Sequence, residues 1–110
     1  MTPKARLTAL LALAHLRADK SALMLAKAQG VVDELGRRHR ALRDAAHAGT
    51  GDISEMVIQD RHDQWREEQL FRLSIAMARA EAQAQPFREA HGRDVARAKV
   101  LEKLIAKQSR

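Results

Sequence analysis

The chain has no cysteine and no tyrosine, a single tryptophan and two phenylalanines, so aromatics make up 3% of its 110 residues. Without cysteine there are no disulfides, no thiolate nucleophile and no Cys-based metal site, and a reducing compartment, the cytoplasm, is the expected setting. So few aromatics cannot fill a thick globular core. Two prolines and five glycines leave few breaks in the chain. The longest apolar run, Leu7 to Leu16, is interrupted by Thr8 and His15. At roughly ten residues it is about half of what a bilayer span needs, and it reads as helix rather than as a signal peptide.

What is present is helix-forming. Apolar residues are 45% of the chain, many of them Ala, and the rest is rich in Leu, Arg, Gln, Glu and Lys. One stripe runs through the first half: Leu7, Leu11, Ala14, Ala18, Ser21, Leu25, Ala28, Val32, Leu35, His39, Leu42 and Ala46. Its steps alternate four and three residues without a break. A narrow seam of that kind belongs to a long helix that faces another helix.

Gly49-Thr50-Gly51 is the one Gly-rich break, and it separates two long helical patterns. Thr2 followed by Pro3 reads as an N-cap with proline at the first helical position. Gly49 suits the residue after a helix end, and Asp52 with Glu55 resembles a capping box. The expected fold is therefore all-α: one long antiparallel two-helix coiled-coil hairpin over residues 1–110. Helix one spans about 3–48, the turn 49–51 and helix two about 52–108, with lengths of about 70 and 85 Å at 1.5 Å per residue.

On helix two, Leu70, Leu73, Met77, Ala80, Ala84, Phe87 and His91 keep the three-four spacing. Val95, Ala98, Leu101 and Ile105 continue it after one four-four step that resembles a stutter. Upstream, Met56, Ile58 and Trp65 are interrupted by Asp60, Arg61, His62 and Asp63, so loose packing is expected there, with Trp65 buried against the hairpin. Pro86 removes a backbone donor within the pattern and disfavours helical geometry at Gln85, which predicts a kink or local break, and Gly92 adds a second weak point. The seam expected to hold the rod comprises Leu7, Leu11, Leu25, Val32, Leu35 and Leu42 on helix one with Leu73, Met77, Leu101 and Ile105 on helix two.

Charge is uneven. Residues 1–48 carry nine Lys and Arg against four acids (+5), residues 49–85 four against seven (−3), and residues 86–110 seven against three (+4), within a total of +6. Arg37, Arg38, Arg40 and Arg43 are expected to face the acidic start of helix two, Asp52, Glu55, Asp60 and Asp63, and so to direct the fold. At the other end of the hairpin, Lys4, Arg6, Arg93, Arg97, Lys99, Lys103, Lys107 and Arg110 have few acidic neighbours. That end suits docking to an acidic surface.

Patterns for catalysis are missing. There is no Gly-rich phosphate loop and no HExxH, and His15, His39, His47, His62 and His91 include no i,i+4 pair for a metal. His39 falls on the seam as an interhelical polar residue. His62 between Asp60 and Asp63 reads as solvated helix surface. A non-enzyme without cofactor is the expectation.

The stretch Gly92-Arg93-Asp94-Val95-Ala96-Arg97-Ala98-Lys99-Val100-Leu101-Glu102-Lys103-Leu104 contains R-x-x-x-LEKL from Arg97 to Leu104. In a basic, Cys-free two-helix chain this resembles the FliJ family of flagellar export proteins and the related YscO-type stalks of type III secretion. The resemblance implies a cytoplasmic stalk, peripheral at the membrane export apparatus, that inserts one end into the export ATPase ring and links it to the export gate or to export chaperones. It also implies that Arg93, Arg97, Lys99 and Lys103, with Lys4 and Arg6, form the docking surface.

Two alternatives remain. The pI near 10.5 and the Arg37 to Arg43 cluster suit a hairpin that binds nucleic acid or ribosome, although stacking aromatics are lacking. Leu10, Leu13, Leu16, Met24 and Val31 lie beside the main seam, where they would give a secretion chaperone or coiled coil a second face for a homodimer.

Overall fold

The computed structural model describes residues 2–45 and 53–109. It is all-α, a hairpin of two long antiparallel helices, α1 (Pro3–Asp44) and α2 (Ile53–Gln108). No strand occurs among the described residues. The start of α1 is capped as the sequence implies: the Ala5 amide donates to Thr2 Oγ1 at 3.1 Å and the Arg6 amide to the Thr2 carbonyl at 3.0 Å. α1 stops at Asp44 rather than Ala48, and the expected turn at 49–51 with its caps Gly49 and Asp52 lies outside the described residues. One reason for the earlier stop is visible in α2. Arg66 donates to the Ala45 carbonyl at 2.6 Å, so a carbonyl that helix geometry leaves without an intrahelical donor is satisfied from the partner helix.

The helices form two compact units, one of Met1–Gln29 with Gln83–Arg110 and one of Gly30–Ala82. In the first, Leu7, Leu11, Leu25, Leu101 and Ile105 are half-buried, and the tightest positions belong to small or polar residues: Ser21, Asp94, Ala98 and Ala84, the last 0% exposed. In the second, Val32, Gly36 and Ala80 are buried, while Leu35, His39, Leu42, Leu70, Leu73 and Met77 are half-buried. Every described position of the α1 stripe is at least half-buried. A two-helix seam shields only one narrow face of each helix, so no large side chain is fully buried among the described residues.

Three expectations change on α2. There is no stutter: Asp94, only 7% exposed, takes the three-residue step after His91, and the seam runs on through Ala98, Leu101 and Ile105 in regular alternation. Upstream of Leu70 the seam is polar, carried by half-buried Arg66, Asp63 and Gln59 at steps of four, three and four. The apolar residues Met56, Ile58 and Trp65 point away from it; Trp65 is 50% exposed and stacks on His62 with ring centroids 5.6 Å apart. Finally, Pro86 does not break the helix, which runs without interruption from Ile53 to Gln108. Pro86 and Ala82, whose carbonyl loses its donor, are both exposed, so water can take that donor's place.

Candidate interaction site

Of the two units, the one formed by Met1–Gln29 and Gln83–Arg110 concentrates the positive charge. It holds twelve Lys and Arg against four acids, a net +8, whereas Gly30–Ala82 holds eight against ten, a net −2. The Arg37 to Arg43 cluster does not stand as a bare cationic patch. Glu34 accepts from Arg37 at 2.8 Å and from Arg38 at 3.2 Å, and Arg43 pairs with Asp44, all within α1. That part of the expected fold-directing charge is spent along one helix. The two arginine hydrogen bonds hold the Glu34 carboxyl below its ordinary pKa, that of Arg37 first.

In the basic unit the two helices are joined by polar contacts at seam positions. Ser21 Oγ lies 3.1 Å from His91 Nδ1, and the same hydroxyl donates to the Ala18 carbonyl at 3.0 Å. With its proton committed there, Ser21 is left to accept from a ring protonated at Nδ1. Three residues further along α2, the buried Asp94 carboxylate is approached from α1 by Arg17 at 3.6 Å and from its own helix by Arg97 at 3.7 Å. Both arginines reach in from solvent with their stems along the surface. Arg88 donates to Gln29 at 2.8 Å, and His15 sits 3.5 Å from Glu102.

Two grooves flank this network. The larger, about 570 Å³, has an apolar floor of Leu10, Leu13, Ala14, Ala96, Val100 and Leu101, with Arg17 and Arg97 on its rim. The smaller, about 370 Å³, is charged: Arg17, Lys20, Arg93 and Arg97 surround Asp94, next to Ser21 and Met24. Four cations face one carboxylate there. The arrangement offers shape, an apolar surface and uncompensated positive charge.

All six residues expected to dock a partner are exposed and lie in this unit, but the structure brings only some of them together. Arg93 and Arg97 line the charged groove, and Arg97 also edges the apolar one. Lys4, Arg6, Lys99 and Lys103 line neither. Two residues of helix turn the chain by about 200°, which puts Lys99 on the other side of α2 from Arg97. Arg17, Lys20 and Asp94 are the residues that sequence reasoning did not assign to a site. The signal for Asp94 was the heptad itself, since it occupies the position where an apolar residue was due.

Among the described residues no group of three or more His, Cys, Asp or Glu is placed to hold a metal, and no helix is long and apolar enough to cross a membrane. Comparison with known proteins returns no match, whether to a family model, to a curated protein or to a solved structure.

Proposed function

We propose that this chain is a non-enzymatic coiled-coil stalk or adaptor of a type III protein export apparatus, docking through its basic unit to an acidic surface of the export ATPase and linking it to the export gate or chaperones. The observation that carries the docking step is the joining of an apolar groove to a cluster of four cations around one buried acid. Such a surface selects a partner by charge and holds it by apolar contact. The partner's identity rests on the resemblance of Arg97 to Leu104 to the export stalks.

The test is co-purification of the chain with the export ATPase of its own organism, with the ATPase rate followed as the chain is added. Stoichiometric binding lost in Arg93→Glu/Arg97→Glu, and retained in Lys99→Glu/Lys103→Glu, supports docking by the groove residues. Absence of binding at physiological salt sinks the stalk reading.

A further inference from the structure

The hairpin leaves much of its apolar surface uncovered. Leu13, Leu16 and Leu23 on α1 and Ile53, Ile58 and Phe71 on α2 are each more than 60% exposed, while the buried apolar residues are one Val and three Ala among those described. Where such residues gather beside one another they mark an interaction surface. Two of the uncovered surfaces complement one another.

One is the groove already described, floored by Leu10, Leu13, Val100 and Leu101 and rimmed by Arg17 and Arg97. The other is an outer face of α2 in the Gly30–Ala82 unit. Four apolar residues lie on that side of the helix, Ile53 with Val57 and, 14 residues or about 21 Å further on, Phe71 with Ile75, and the exposed Asp60 and Gln64 occupy the same side between the two pairs. All four apolar residues are exposed. Glu67, also exposed, borders the Phe71–Ile75 pair along one edge, and on its other side Glu68 is held by Arg72 at 2.6 Å. The chain thus contains an apolar helix turn with an acidic border, and elsewhere an apolar groove with a basic rim. This is the pairing that a helix-in-groove contact requires.

We propose that the groove of one copy receives the Phe71–Ile75 turn of α2 from a second copy. Phe71 and Ile75 cover Leu10, Leu13, Val100 and Leu101, and Glu67 meets the Arg17 and Arg97 rim. Charge decides between a second copy placed like-on-like and one placed unlike-on-unlike. Joining two +8 units sets cations against cations, whereas joining the +8 unit to the −2 unit relieves both. The contact therefore links unlike units of the two copies. It needs no partner protein and is tested on the chain alone; because it fills the groove that the export reading gives to the ATPase, the two occupants compete for that groove.

The absence of cysteine makes the test direct. The mass of the full chain is measured in solution across a range of concentrations, and single-cysteine variants Leu13→Cys and Phe71→Cys are oxidised alone and as an equimolar mixture. The expected mass is twice 12.3 kDa or more at high concentration. The expected cross-link appears in the mixture and not in either variant alone. Leu13→Glu and Phe71→Glu, both at exposed positions and so without harm to helicity by circular dichroism, each return the chain to the monomer. A monomer at every concentration overturns the proposal. So does a Leu13→Cys chain that cross-links to itself, or an assembly that survives both glutamate variants.

Discussion

Ser21 and His91 meet across the seam, with Oγ and Nδ1 3.1 Å apart and the serine hydroxyl also bonded to the Ala18 carbonyl. A polar pair at facing seam positions stabilises less than two leucines would, but it is satisfied only when these two positions are opposite one another. It therefore selects one antiparallel alignment of α1 and α2 over its slipped neighbours. Ser21→Ala leaves the His91 ring nitrogen without its partner in a part-buried site, and a loss of about 1 kcal/mol is expected. Chemical denaturation of the two chains compares them; equal midpoints would mean that the pair sets nothing.

Ala84 is fully covered between the helices, and Ala98 is 6% exposed on the same seam. Small side chains at these points set how close the helix axes come. Ala84→Leu adds volume where there is none to spare, so a loss of about 1–3 kcal/mol is expected. The same change at Ala82, which is exposed, leaves the melting temperature almost unmoved, and the pair of melts separates packing from helix propensity.

Gly30 and Gly92 lie inside helices, and a Cβ built on either meets no atom within 4 Å. Neither glycine is required by a close approach. Alanine at each position lowers the backbone entropy lost on folding, and a gain of about 1 kcal/mol per site is expected. For a domain of this size that is a rise in melting temperature of about 4 °C or more. A fall at either site would mean that the bare backbone there serves a contact within the folded chain.

The α1 seam was legible because its period was unbroken: Leu7 to Leu42 reads as one stripe, and each of its members is at least half-buried. The α2 seam was legible only where it is apolar. At Asp94 a charged residue occupies a core position, and hydrophobic periodicity shifts the reading by one residue to Val95. Upstream of Leu70 the same blindness hides Gln59, Asp63 and Arg66, the half-buried positions that continue the seam, of which Arg66 reaches the Ala45 carbonyl of α1, and draws attention to Trp65, which stands outside it. Net charge by segment located the basic unit. It could not say which cations share a face, because Arg97 and Lys99 differ by two residues and by about 200° of rotation.

Glu34 holds two arginines of its own helix, and its folded-state pKa is lowered by them. A lowered carboxylate pKa contributes stability that is present above the unfolded value of about 4.5 and is lost as pH falls through the folded-state value. Both partners are solvent-exposed, so the contribution is small and is screened by salt. The melting temperature of the wild type is expected to fall more than that of Glu34→Gln as pH is lowered from neutrality to below 4.5, and high salt should merge the two curves. Parallel curves at low salt would assign the acid dependence to other carboxylates.

Asp94 is the one acidic side chain buried at the seam among the described residues, and it lies between two arginines that otherwise belong to solvent. Removing the charge and removing its partners have opposite consequences. Asp94→Leu restores an apolar residue to the heptad and relieves the desolvation of a carboxylate, so stability is expected to hold or rise. Arg17→Ala/Arg97→Ala removes both ion-pair partners of the carboxylate and leaves Lys20 and Arg93 as its nearest cations, and a loss of about 1–3 kcal/mol is expected. The two variants also separate folding from recognition. Asp94→Leu leaves Arg17 and Arg97 uncompensated beside the apolar groove, so it should tighten binding to an acidic partner and steepen its salt dependence, while the double alanine weakens both. Melts together with binding at low and moderate salt measure all four outcomes. If Asp94→Leu were the less stable of the two variants, the carboxylate would be a structural anchor and not a residue retained for the charge it presents.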